Sequence, residues 1–320
     1  MQNRRVLVTG GSGFIGSHLV KKLLQSGAQV AVTVRYASLI KNIRLSDCWN
    51  CITVIEADLR NRGALKAIRR FDPEVIFHLA AYHHVGESFH QVEECFDVNA
   101  KGTANLFDVC EGAGKFVYIA TSEVYGLQLS APFTEEMQPN PLSPYAVTKY
   151  AGEMYCRMKQ RLAPGSVVIL RPFNAFGPYQ STRAIIPELI MKCLRGDPIQ
   201  ITPGEQTRDF NFVANLTEGM IAAAEHPEPL DGPINLASGD EISIRDLARR
   251  IADLTESRSR VEIGALPYRR NEIWRMSGNA TRASQLLGWE PRVGFDAGLR
   301  ITVDWFRDQI ARLNPAICAT

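Results

Sequence analysis

The tightest constraint on this chain lies near its start, where an apolar run, Val6 to Thr9, passes straight into Gly10-Gly11-Ser12-Gly13-Phe14-Ile15-Gly16. The apolar-periodic segment FIGSHLVKKLLQSG follows at once. Glycine at 10, 13 and 16 lets the backbone approach a pyrophosphate, and a helix that begins there meets the charge with free N–H groups. A plain turn would not need glycine three times at that interval. The segment therefore predicts a dinucleotide site between a first strand and a first helix.

The end of the second apolar run, VAVTVRYAS, bears on which dinucleotide. Where a carboxylate would bind a ribose 2'-hydroxyl the chain has Val34, followed by Arg35. An arginine there favours a 2'-phosphate, so NADP is expected, with NAD as the alternative. Asp58, in EADLRN after the third run, is placed to accept from the adenine amino group or to cap a helix.

Short β-branched runs at Arg5 to Thr9, Gln29 to Val34, Ile52 to Ala57, Val75 to Leu79, Phe116 to Ala120 and Val167 to Leu170 alternate with helix-length segments. Near-continuous apolar runs such as VIFHLA fit a parallel sheet buried on both faces. The expected fold is α/β, a Rossmann-like doubly wound parallel sheet, and 320 residues leave room for a second lobe. After Arg171 prolines and glycines multiply, and single helices are expected at Ile185 to Arg195, Ala214 to Glu225, Ile244 to Thr255, Thr281 to Leu287 and Phe295 to Arg312. The division expected is a dinucleotide-binding domain over 1–172, with chain returning to it near 209–236, and a smaller mixed α/β substrate lobe over 173–320.

Charge and cysteine use narrow the partners. With 36 Lys and Arg against 34 Asp and Glu the net charge is +2, which argues against a whole-surface footprint for nucleic acid or membrane. The opening MQNRRVLVTGG lacks the apolar length of a signal peptide, so the mature chain is expected to start at Met1. Seven cysteines scattered from Cys48 to Cys318 fit reduced thiols and a cytoplasmic location. Cys48-Trp49-Asn50-Cys51 has no second ligand pair and runs into the strand-like CITVIEAD, so neither a redox nor a metal role is expected.

The glycine loop TGGSGFIG, the strand end HLAA at His78 to Ala81, Tyr145-Ala-Val-Thr-Lys149 and RPFNAFGP together resemble the extended short-chain dehydrogenase/reductase family acting on nucleotide sugars, over nearly the whole chain. The resemblance implies that Gly10, Gly13, Phe14, Ile15, Gly16, Arg35, Asp58, Leu59, Leu79, Ala80 and Ala81, with Tyr145 and Lys149, hold the NAD(P). It also implies a homodimer packed through helices around Glu93 to Glu111 and Tyr145 to Arg161, with a tetramer as a further option.

Tyr145 and Lys149 make chemical sense unaided. Four residues apart, they share one helix face, so an ammonium can sit near a phenol. For a phenol of ordinary pKa near 10 to serve as a base at pH 7, its anion must be favoured by about three units, roughly 4 kcal/mol. Glu123, in IATSEVYG, stands at the carboxyl end of a strand, where an open parallel sheet faces its ligand.

Thr121-Ser122-Glu123, twenty-two residues before Tyr145, resembles the 4,6-dehydratases of the GDP-mannose type and those that act on GDP-N-acetylglucosamine. VRYAS and RPFNAFGPYQSTRAIIPELI strengthen the second likeness. The implied reaction is oxidation at carbon 4, in which Tyr145 takes the hydroxyl proton, hydride passes to the nicotinamide and Thr121 hydrogen-bonds the same oxygen, followed by loss of water assisted by Glu123 and internal return of the hydride at carbon 6. Ser122, Asn174, Arg183, Arg208, Arg269 and Glu272 are the implied substrate contacts, the last two as a pair. His83 and His84, adjacent in extended chain, are expected to point apart and form a wall, and Tyr82 stands where relatives carry a small polar residue. Rival readings are a nucleotide-sugar decarboxylase, a 4-epimerase, and a catalytically inert NADP-binding protein, against which the intact Tyr145 and Lys149 speak.

Overall fold

Strands apolar on both faces need cover on both sides, and the computed structural model, which describes residues 1–163, 165–269 and 271–313, supplies it. One parallel sheet is built from β1 (Arg5–Thr9), β2 (Gln29–Val34), β3 (Thr53–Glu56), β4 (Val75–His78), β5 (Lys115–Ile119), β6 (Val167–Pro172) and β7 (Pro233–Leu236). Side chains alternate between two cores: Val6, Val8, Val32 and Phe77 pack on one face, Leu7, Ala31 and Ile76 on the other. The strand order is β7-β6-β5-β4-β1-β2-β3, so the Rossmann-like doubly wound fold is as expected. From β1 the chain winds first toward β3 and then, through β4, toward β7. The loops after β1 and β4 therefore diverge and open a crevice at the carboxyl edge.

Boundaries shift where tertiary contacts outrank local pattern. β4 and β5 stop at His78 and Ile119, one residue before their apolar runs end, because the chain there turns into the crevice loops. β6 continues to Pro172 because β7 pairs with it, Leu236 opposite Pro172. The expected helix Glu93 to Glu111 is a composite of Val92–Cys95, a wider π-helical turn Phe96–Lys101, and Gly102–Val109. That turn carries Asn99 inward, where its Oδ1 accepts from the Tyr82 N–H at 2.8 Å and its Nδ2 donates to Thr148 Oγ1 at 3.0 Å.

The chain after β6 adds short paired strands and a third core. Asn174–Phe176 pairs with Phe210–Phe212, and Thr207–Arg208 with Ile242–Ser243 and Arg275–Met276. Helices Ile185–Arg195, Ile244–Leu254 and Phe295–Leu313 close around Phe176, Ile190, Leu247 and Leu299. Among the described residues no helix is long and apolar enough to cross a membrane. Cys48 and Cys51 are free thiols beside the single turn Trp49–Cys51 that leads into β3, and Cys318 lies outside the described residues.

The helix Pro144–Leu162 is the element that the site depends on. Ser143 caps it, its hydroxyl accepting from the Ala146 N–H at 3.1 Å, and Pro144 presets the first turn. Its axial position is fixed by Glu153, which takes Arg171 in a two-pronged pair, 3.0 Å from Nε and 2.6 Å from Nη2, with both side chains buried. Removing one member strands the other charge in the core. Glu153→Gln is therefore expected to lower unfolding free energy by about 3–5 kcal/mol. Arg183→Gln, which breaks an exposed pair with Glu87, should cost no more than about 1 kcal/mol. Urea titrations of the two variants check this, and equal losses would contradict it.

Candidate active site

A cleft of about 1480 Å³ runs along the carboxyl edge of the sheet from the glycine loop to the far lobe. Its first stretch is shaped by what a side chain would hit. A Cβ on Gly16 would lie 2.2 Å from the Gly10 carbonyl oxygen, and one on Gly10, whose φ is +68°, would lie 2.7 Å from the Ala80 nitrogen. The helix Phe14–Gln25 opens from Gly13 with no side-chain cap and no acidic residue in its first turn. Its free N–H groups thus face a cradle fit for a pyrophosphate, and the residues present suit a dinucleotide.

At the end of the cleft beside β2 and β3 the structure brings Arg35, Asp58 and Leu59 to the wall together with two residues that the sequence did not single out, Arg60 and Glu94. Asp58 accepts from the Arg60 backbone N–H at 2.9 Å and from its Nε at 3.0 Å, and this hydrogen bonding holds its carboxyl below the usual range. Arg60 Nη1 reaches Glu94 Oε2 at 2.6 Å. Arg60 was legible only as a neighbour of Asp58; Glu94, on a separate helix, carries no local signal.

In the middle, Thr121, Ser122 and Glu123 come from the end of β5, and Tyr145 and Lys149 from the first turns of their helix. Thr121 Oγ1 accepts from the Glu123 N–H at 3.2 Å, which folds the single turn Ser122–Val124. Lys149 Nζ lies 4.4 Å over the Tyr118 ring, and the Tyr118 hydroxyl donates to the Lys149 carbonyl at 2.8 Å. Burial pushes the Lys149 ammonium down to about 8, with Cys156 and Glu153 opposing. Burial also raises Tyr145 to about 12, against a hydrogen bond with Thr121 and together with the Glu123 charge. Glu123 itself is raised, first by burial, while Arg208 and Arg269 pull it down. Leu79, Ala80 and Ala81 form the floor.

The far end holds Asn174, Arg208, Arg269 and Glu272. Arg269 and Glu272, the pair implied to clamp the substrate, both stand on this wall, and Glu272 also accepts from Arg208 Nη2 at 2.7 Å. The reason is the parallel pairing of Arg275–Met276 with Thr207–Arg208, which carries the preceding loop past Arg208. Asn174 Nδ2 donates to the Asp209 carbonyl at 3.0 Å. Arg183 stands apart: it is absent from the cleft wall and extends to Glu87 at 2.6 Å across the mouth. His83 and His84 line the cleft but do not point apart; their ring centroids lie 4.1 Å from each other with the planes tilted by 35°, just before the chain turns into the helix Val85–Ser88.

A family model described as GDP-mannose 4,6 dehydratase matches residues 7–302. The chain is 33% identical to a UDP-glucose 4-epimerase of Mycolicibacterium smegmatis, over 95% of this chain and 99% of the relative. It is 30% identical to a dTDP-D-glucose 4,6-dehydratase of Mus musculus, over 95% and 89%. Among solved structures, a Thermus thermophilus UDP-glucose 4-epimerase complex with NAD superposes with a TM-score of 0.85 at 30% identity, covering 95% of this chain and 99% of that one.

The glycine clearances yield a direct expectation. Gly16→Ala should weaken dinucleotide binding by about a hundredfold, close to 2.7 kcal/mol, as measured by fluorescence titration. Unchanged affinity would mean that the loop is not the pyrophosphate cradle.

Proposed function

The chain belongs to the nucleotide-sugar epimerase, dehydratase and decarboxylase group of the short-chain dehydrogenase/reductase family, and from that premise we propose that it is a nucleotide-sugar 4,6-dehydratase. The observation that carries this reading is Glu123, a carboxyl group deep in the cleft, close enough to Tyr145 for its charge to raise the phenol's pKa. Exchange of a proton at one hydroxyl, which is all that 4-epimerisation asks of the protein, needs no second acid. Elimination across carbons 5 and 6 does.

In this reading residues 1–172, with the chain returning near 209–236, hold the cofactor, and 173–320 hold the nucleotide sugar. A nicotinamide dinucleotide, when bound, supplies a hydride acceptor at carbon 4, a hydride donor at carbon 6, and a positive charge that favours the Tyr145 phenolate. Tyr145 takes the carbon 4 hydroxyl proton, Thr121 hydrogen-bonds the same oxygen, and Lys149 holds the phenolate. The ketone so formed acidifies the carbon 5 proton. Glu123 removes that proton and protonates the departing carbon 6 hydroxyl, so water leaves and the carboxylate is restored; once carbon 6 is reduced, the proton that Tyr145 took from the carbon 4 hydroxyl balances the one that carbon 5 must regain, which resets the phenolate. Arg208 and Arg269, with Asn174 and Ser122, bind the diphosphate and sugar, because guanidinium forks match phosphate oxygens. Arg183 joins them if it releases Glu87.

The finer assignments rest on separate observations. A GDP-linked hexose is favoured by the stretches VRYAS and RPFNAFGPYQSTRAIIPELI. NADP is favoured by Arg35 in place of an acid after β2, with NAD as the alternative. A homodimer is supported by apolar side chains left in water on two helices: Val92 and Phe96 on one run, Val147, Met154, Met158 and Leu162 on the other. Sedimentation of a monomer would contradict that assembly.

Incubation with GDP- and UDP-hexoses without added reductant tests the reaction. The wild type should form a 4-keto-6-deoxy product, and its rate should fall as pH drops through the raised Glu123 pKa, where the carboxylate is lost. Glu123→Gln should still oxidise carbon 4 but lose about 10²–10⁴ in product formation. Full turnover by that variant, release of carbon dioxide, or a 4-epimer alone would overturn the proposal.

A further inference from the structure

At the end of the cleft beside β2 and β3 two guanidinium groups converge on one carboxylate. Arg60 is already engaged by Asp58, and its Nη1 reaches Glu94 Oε2 at 2.6 Å. Arg35, which alone suggested a 2'-phosphate, has Nη1 3.8 Å from Glu94 Oε1. All four side chains line the cleft, and two cations against two carboxylates leave the cluster neutral. Arg35 is 66% exposed and Glu94 28%, so neither is locked in place by packing.

We propose that Glu94 is a specificity-determining residue: a built-in counter-ion that occupies the two arginines a 2'-phosphate would need, and so sets the balance between NADP and NAD. The inference rests on the cofactor reading above. A 2'-phosphate brings a double negative charge beside Glu94 and Asp58 and must compete with them for Arg35 and Arg60. A bare 2'-hydroxyl brings no charge and can donate to a carboxylate. Glu94 therefore acts against the phosphorylated cofactor and not against the other, and Arg35 does not by itself commit the chain to NADP. Because the cluster is open to water, salt screens the effect and keeps it moderate.

The test is a pair of affinity titrations, NADP⁺ and NAD⁺, on full-length protein freed of copurified dinucleotide. Glu94→Gln should raise the affinity for NADP⁺ relative to NAD⁺ by roughly tenfold, with the gain shrinking at high salt. Arg35→Ala in the Glu94→Gln background should remove that gain. A ratio that stays within about twofold of wild type, or a gain that survives Arg35→Ala, overturns the role of Glu94 while leaving dinucleotide binding intact. Failure of wild type to bind either dinucleotide overturns this inference together with the cofactor reading beneath it.

Discussion

The geometry of the cleft hangs on one buried ion pair. Glu153 sits one turn after Lys149, and Arg171 sits at the end of β6. The Arg171 guanidinium also lies 4.7 Å over the ring of Tyr125, which directly follows the turn bearing Glu123. Tyr125 in turn donates to Asn235 Oδ1 on β7 at 2.7 Å. One polar network thus ties together the helix that presents Tyr145 and Lys149, the turn that presents Thr121 and Glu123, and the returning strand. An apolar replacement of such a pair is often as stable, so its worth lies in fixing geometry.

Desolvation then sets the chemistry. Burial moves Lys149 down and Tyr145 and Glu123 up, each toward its neutral form. Arg208 and Arg269, at the far end of the cleft, act on Glu123 in the opposite sense. A carboxyl group poised between those influences is suited to take a proton and give it back within one turnover, as loss of water requires.

Much of this was legible in the residues because it depends on local spacing. The short, near-continuous apolar runs marked the strands of the sheet, and glycine at 10, 13 and 16 marked a turn where the structure leaves no room for a Cβ on Gly10 or Gly16. Tyr145 and Lys149 share a helix face by their separation alone. What escaped was set by contacts between distant segments. Glu94 meets Arg60 from another helix, Glu272 takes Arg208 because two short strands pair, and Asn99 bends its helix into a π turn to reach Tyr82 and Thr148. The close approach of the His83 and His84 rings and the reach of Arg183 to Glu87 likewise follow from where loops settle.

If oxidation at carbon 4, elimination and reduction at carbon 6 form one closed sequence in this cleft, the hydride lost from carbon 4 must reappear at carbon 6. A nucleotide hexose carrying deuterium at carbon 4 tests it most directly, with the product examined by NMR and mass spectrometry. The expected result is a 4-keto-6-deoxy product with the label in the carbon 6 methyl group. Label still at carbon 4 of an epimer, or a decarboxylated product when a uronic acid is supplied, would contradict it.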